Sequence, residues 1–287
     1  MSLDGLNSKP GVISVGYGYK RVKGKLTNIP AVLVYVERKL PLSALTADET
    51  VPISVDGKPT DVIEIATVDA LAVATEVPLR RTKKRPCPGG FSTGHPAVTA
   101  GTIWLPRFYV EGKLYAGSNT HVWAPHWKTP VAPGQSVLQP GPYDGGTPPD
   151  VLGILARWQF IMKDEPNFLD FAIALVEEEN VAWGIEGAPM VYERLAVPEV
   201  GAEVAKSGRT TGWTLGIVSA IGAAVKVRYA EDFIALFVDQ IEIIPAPGQG
   251  IFSMGGDSGS AVLSRDGRLV QGFVFAGAGD FTYANRM

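Results

Sequence analysis

The sequence predicts an all-β protein of short strands with a small α/β unit at its N-terminus, and three observations lead there. With 33 glycines and 22 prolines among 287 residues, turns must be frequent and long helices are disfavoured. Alternating or β-branched apolar runs, each bounded by turn residues, recur along the whole chain. From Gly90 onward these runs fall into two halves of similar strand density, parted near residues 180–203, which is how a two-barrel architecture reads. At 46% hydrophobic and 19% charged residues, the chain can fold and bury a substantial core.

Residues 1–78 read as the small α/β unit. Val12 to Tyr19 alternates as a strand, Lys20 to Lys25 with Gly24 is a hairpin turn, and Ala31 to Val36 is a buried β-branched strand. Leu42 to Leu45 is a short helix candidate, and Val55-Asp56-Gly57-Lys58 carries an Asp-Gly hairpin signal. Arg80 to Arg85 places five positive charges in six residues before Pro-Cys-Pro-Gly-Gly, so residues 79–89 read as a solvated linker and the domain boundary. An anion-binding patch and a processing site are the sharper readings of the same run.

Residues 90–287 form the strand-rich unit. Strands are expected over Ala97 to Leu105, Phe108 to Val110, Lys113 to Ala116 (joined to the last by Glu111-Gly112) and Phe171 to Val176. Further strands are expected over Ile217 to Ala220, Ala224 to Arg228, Ile234 to Val238, Ala261 to Leu263 and Leu269 to Phe275. Val131 to Pro149, rich in proline and glycine, reads as a surface excursion.

A formal net charge of −3 gives no ground for a polyanion partner, so no nucleic acid is expected. The N-terminus lacks a basic stretch followed by an apolar one, and no apolar run reaches membrane-spanning length. A single cysteine, Cys87, rules out an intrachain disulfide and reads as an incidental thiol. Together these lead to an expectation of a cytoplasmic or virion-associated protein, with no membrane contact and no cofactor or metal.

The chemistry centres on Gly255-Gly256-Asp257-Ser258-Gly259-Ser260. Glycines flanking a serine let the backbone turn sharply and bring N–H groups toward a substrate. A hydroxyl presented that way becomes a nucleophile when a base lies within reach. Three histidines are available. His95, before a proline, reads as structural, and His126, in Ala124-Pro125-His126-Trp127, reads as exposed. His121 follows the Lys113 strand. A histidine base needs a carboxylate that fixes its tautomer. Asp170 heads the apolar run Phe171-Ala172-Ile173-Ala174-Leu175-Val176, where an unpaired charge would be costly, whereas Asp164 and Glu165 read as solvated.

These motifs resemble the chymotrypsin/trypsin-like serine peptidases. The order is His, Asp, Ser, with separations of 170 − 121 = 49 and 258 − 170 = 88 residues. Thr120-His121, Asp170-Phe171-Ala172-Ile173-Ala174, Gly256-Asp257-Ser258-Gly259 and Val270-Gln271-Gly272-Phe273-Val274 carry the resemblance, over roughly Gly89 to the C-terminus. Gln139 to Gly146 and Lys206 to Gly212 resemble more particularly the disulfide-free bacterial and phage members that carry a small N-terminal unit. The resemblance implies a double six-stranded β-barrel, with Ser258 as nucleophile, His121 as general base and acid, Asp170 as the orienting acid, and an oxyanion hole at the N–H groups of Gly256 and Ser258. It implies a protein or peptide substrate. In secreted members a cleaved N-terminus pairs with the aspartate before the nucleophile; here Asp257 is expected to be satisfied internally, by Arg209 or by loop N–H groups. Phe252 stands where tryptic members place an aspartate, with Phe275-Ala276-Gly277 opposite, so the pocket formed by Phe252, Phe275 and Gly277 implies a small or hydrophobic P1 residue. The alternative is a non-enzymatic structural or adaptor protein that retains the fold, in a phage particle or a defence assembly. A homo-oligomer formed through the N-terminal unit is a further expectation.

Overall fold

The computed structural model describes residues 3–66, 68, 79–188 and 194–287. The strands Glu203–Gly208, Gly212–Ala230, Phe233–Pro245, Phe281–Arg286, Leu269–Ala278 and Ala261–Ser264 pair in that cyclic order, the last returning to the first, and close a barrel. Closure leaves no open edge, and alternate residues turn inward: Val204, Val218, Ile241, Ile243, Val262 and Val274 fill it.

A second ring of hydrogen bonds forms from shorter pieces. Ser136–Leu138, Val151–Trp158, Ala172–Val176 and Lys113–Ser118 pair in order, with Phe108–Val110 at the edge. Ser92–Thr93 pairs with Gly101–Thr102, Gly94 bridges to Leu138, and the Trp104 N–H reaches the Gly117 carbonyl at 2.8 Å, which completes the circuit. Val122, Trp123, Val137, Leu152, Leu155 and Ala174 pack inside. The protein thus has the all-β, chymotrypsin-like double barrel that the sequence predicts, with the small N-terminal unit attached.

That unit is joined to the 203–286 barrel through one continuous sheet. Val12–Val22 pairs with Lys25–Val36 across a Lys23-Gly24 turn in which both residues have positive φ, 52° and 77°. Lys58–Glu64 runs parallel to Lys25–Val36, and its hairpin partner Ser54–Val55 turns at Asp56-Gly57. Among the unit's described residues the helical content is one five-residue helix, Leu3–Asn7, and a 3₁₀ turn at Leu42–Ala44. Residues 220–225 then pair with Val12–Val22, so the sheet continues into the barrel. Buried Glu242 fastens the junction, accepting hydrogen bonds from Tyr35 of the N-terminal unit, from Ser219 (2.6 Å) and from Tyr283 (3.2 Å). Burial pushes its carboxyl above the usual range.

The structure corrects several local expectations. Ile217 to Ala220 and Ala224 to Arg228 belong to one strand, Gly212–Ala230, with register shifts between Ala220 and Val225. One edge of this strand changes partner there, from Glu203–Gly208 to Val12–Val22, and the irregularity absorbs the change. Within Ala97 to Leu105 only Gly101–Thr102 is strand, because the neighbouring backbone groups bond singly to Tyr143, Phe91 and Gly117. Residues 79–89 are docked rather than solvated: Arg81 is 5% exposed, Arg85 donates to Gln139 and to the Val151 carbonyl (3.0 Å), and Lys83 meets Asp150 at 2.6 Å. Val131 to Pro149 is an excursion only at its two ends, since residues 137–141 are buried. Val137 and Leu138 are barrel core, and Gln139 is buried because it accepts from the Lys84 N–H and Arg85.

The shared sheet leaves no room at Gly18, where a Cβ would lie 2.2 Å from the Ser219 carbonyl oxygen. Gly18→Ala is expected to lower stability by about 1–3 kcal/mol in urea denaturation. An unchanged midpoint and slope would contradict this close pairing.

Candidate active site

Asp170 lies just before the strand Ala172–Val176 and has no exposed side chain. Its backbone is fixed on both sides, its N–H donating to Asn285 Oδ1 (2.8 Å) and its carbonyl accepting from Asn119 Nδ2 (2.7 Å). A carboxylate so buried must be satisfied by donors. Oδ1 accepts the His121 backbone N–H at 3.1 Å, and Oδ2 lies 2.5 Å from His121 Nδ1. Because a carboxylate only accepts, Nδ1 carries the proton and Nε2 is the basic nitrogen.

His121 sits on the single helical turn Thr120–Trp123 that follows the strand Lys113–Ser118. The turn is held rigidly. Thr120 Oγ1 bonds the Phe171 carbonyl at 2.9 Å, and the buried Trp123 indole donates to Thr93 Oγ1 at 2.9 Å. His121 and Ser258 line one cleft of about 160 Å³, with Val98, Thr99, Trp127 and Tyr229. Ser258 Oγ is turned to the Phe275 carbonyl at 3.3 Å, and among the described residues no hydrogen bond joins it to His121. Hydrogen bonds of this kind often tighten only when substrate is bound.

The backbone before Ser258 is oriented by its carbonyls. Thr210 Oγ1 donates to the Gly255 carbonyl at 2.6 Å, and the Ser260 N–H (2.9 Å) and Oγ (2.6 Å) donate to the Asp257 carbonyl. In a trans peptide N–H and C=O point opposite ways, so the Gly256 and Ser258 N–H groups are turned away from these donors. Among the described residues neither N–H has a protein acceptor. Gly256 has φ +90°, and a Cβ there would press on Arg209 and Thr210. Gly259 has φ +97°, and a Cβ would meet the Thr102 carbonyl at 2.0 Å. Both positions therefore require glycine.

Thr102, from the other barrel, clamps this loop. Its N–H donates to the Ser258 carbonyl (2.7 Å), its Oγ1 donates to the Gly256 carbonyl (2.7 Å), and the same Oγ1 accepts the Arg209 N–H (3.0 Å). The sequence assigns Thr102 no role, and it marks Thr210 only as part of the Lys206 to Gly212 segment.

Asp257 is fully buried and satisfied within the fold. It accepts the N–H groups of Thr210 (2.8 Å), Thr211 (3.2 Å) and Met254 (2.9 Å) and the Thr211 hydroxyl (2.7 Å). Lys206 Nζ stands 3.6 Å away. Of the two expected partners, then, the loop N–H groups serve, while Arg209 pairs with Asp144 at 2.5 Å. Burial pulls the Lys206 ammonium down to about 8, against the pull of the Asp257 carboxylate.

The other residues singled out by sequence lie elsewhere. Phe252 is 1% exposed and packs into the barrel core, and the Phe275 side chain faces the core against Phe237, at 4.8 Å between rings. Among the described residues, neither ring lines the cleft that holds His121 and Ser258. Gly277 pairs with Thr282, whose hydroxyl bridges to Ser253 Oγ at 2.6 Å. His95 is buried, with Nδ1 accepting the Ala97 N–H at 3.1 Å. His126 is half-buried rather than exposed, since its Nε2 accepts the Ile161 N–H (3.0 Å) and its ring stacks on Phe160 at 3.7 Å. Burial holds the Cys87 thiol well above its ordinary pKa. No helix among the described residues is long and apolar enough to cross a membrane.

Comparison with known proteins places this chain beside bacterial serine proteases of the chymotrypsin-like type. A glutamic acid-specific serine protease matches at 18% identity and TM-score 0.49, over 69% of this chain and 92% of that one. Thermobifida fusca protease A matches at 18% identity and TM-score 0.48, over 69% and 90%. Cellulomonas bogoriensis chymotrypsin matches at 19% identity and TM-score 0.45, over 69% and 90%. Residues 10–68 match the family model of the NARROW LEAF 1 N-terminal domain. No curated protein matches the chain.

A lysine whose native pKa falls below its unfolded value is deprotonated first in the native state, so the unfolded chain holds the extra proton and stability rises with pH between the two values. For Lys206 that window runs from about 8 to the ordinary 10.5. Wild-type stability in urea is expected to rise relative to Lys206→Met across that window, whereas parallel curves would contradict the buried-lysine assignment.

Proposed function

We propose that the chain is a serine endopeptidase acting through an acyl-enzyme. The observation that carries this reading is a histidine held by a buried carboxylate (2.5 Å) in the cleft that also presents Ser258, next to two N–H groups without protein acceptors. In the proposed reaction His121 Nε2 takes the Ser258 hydroxyl proton as Oγ attacks the peptide carbonyl. Asp170 stabilises the imidazolium without taking its proton. The Gly256 and Ser258 N–H groups receive the oxyanion, and each such donor is worth about 3 kcal/mol of transition-state stabilisation. His121 returns the proton to the departing amine, the C–N bond breaks, and water repeats the sequence on the ester.

For substrate choice we propose a small, uncharged P1 residue. With the Phe252 and Phe275 rings packed into the core, neither offers a large apolar wall, and the Ser253–Thr282 hydroxyl bridge ties the loop before Ser258 to the strand opposite. No charged side chain supports Lys, Arg or Glu selection from these residues.

A fluorophosphonate probe at neutral pH is expected to label the wild type and to leave Ser258→Ala unlabelled, and Asp170→Asn is expected to lose about 10⁴-fold in labelling rate. Failure of folded wild-type protein to label would favour the structural or adaptor reading. Peptide-library profiling should give cleavage after small uncharged residues. Cleavage confined to Lys/Arg, or to Glu, would overturn the P1 assignment.

A further inference from the structure

Asp170 Oδ2 accepts a second hydrogen bond, from the Tyr229 hydroxyl at 2.8 Å, on the same oxygen that meets His121 Nδ1. We infer that Tyr229 is a positioning residue for the catalytic pair, fixing the Asp170 carboxylate so that the imidazole is presented in one orientation. This inference rests on the hydrolase reading.

The phenol is well placed to do this. Burial and the adjacent carboxylate hold it well above its ordinary pKa, so it stays a donor. Its ring lies 5.6 Å from the His121 ring and 4.9 Å from that of Trp127, which in turn stacks on Phe233 at 5.3 Å. Tyr229 and Phe233 belong to the far end of the hairpin Gly212–Ala230/Phe233–Pro245. Trp127 comes from the segment after the His121 turn. The hairpin therefore reaches from one barrel to the other and delivers a hydroxyl to the orienting acid.

Its reach depends on the N-terminal unit. Beyond Ala220 the strand has left the 203–208 edge, and Val12–Val22 is its partner through Val225. The N-terminal sheet thus splints the ribbon on which Tyr229 sits. Without the hydroxyl, a carboxylate cut off from water loses one of its donors, and its torsion is restrained by His121 alone.

Tyr229→Phe keeps the ring and removes only the donor. In full-length protein the fluorophosphonate labelling rate is expected to fall about tenfold or more, and turnover of a cleaved peptide to lose kcat with KM unchanged. A second reading, made in the Ser258→Ala background, is the low-field His121 Nδ1 proton in NMR spectra, expected to shift and exchange faster when Tyr229→Phe is added. An unchanged labelling rate in folded Tyr229→Phe, or a fall in melting temperature alone, overturns the inference. So does an unchanged Nδ1 proton. If the wild type fails to label, the hydrolase reading falls, while the NMR comparison still decides whether Tyr229 positions the pair.

Discussion

Asp257 is a charge with no access to water, and the loop around Ser258 is shaped by the need to satisfy it. Three N–H groups and a hydroxyl converge on its carboxylate, from Thr210, Thr211 and Met254. Removing such donors would leave an uncompensated buried charge, a loss larger than most single contacts in a protein. Turning the Asp257 side chain inward commits the Gly255, Gly256 and Asp257 carbonyls to Thr210, Thr102 and Ser260. The N–H groups of Gly256 and Ser258 are left as the unpaired face of the loop. Preorganised donors of this kind need no rearrangement when charge develops on a substrate.

The same logic of buried carboxylates joins the parts of the molecule. Asp170 draws His121 from one barrel and Tyr229 from the other. Asp144 draws Arg209 across from the Asp257 loop, and its Oδ2 also accepts from Ser92 at 2.5 Å. Glu242 ties Tyr35 of the N-terminal sheet to the barrel wall. Each of these carboxylates sits where two structural units meet, so the geometry of the cleft depends on how the barrels and the N-terminal sheet lie against one another.

What could be read from the sequence was local. The turns at Lys23-Gly24 and Asp56-Gly57 announce hairpins because positive φ is needed there, and the barrel strands show in their apolar runs. Asp170 stood out because a charge at the head of an apolar strand demands a partner, and that partner proves to be His121. What stayed hidden depends on contacts distant in sequence. Thr102 meets Gly256 across 154 residues, and nothing in its own neighbourhood marks it. Arg85 reads as solvated because a charge run carries no sign of the Asp150 and Val151 carbonyls that accept from it. Phe252 reads as a pocket wall, yet its ring packs with Val204, Ile243 and Val274 in the barrel core, contacts that lie far off in the sequence.

The proposed chemistry depends most directly on where an oxyanion would sit. A crystal structure of the protein after reaction with a fluorophosphonate is predicted to show phosphorus on Ser258 Oγ, with a phosphoryl oxygen about 3 Å from both the Gly256 and Ser258 nitrogens. Modification at another side chain, or an adduct on Ser258 whose oxygen meets neither N–H, would contradict it.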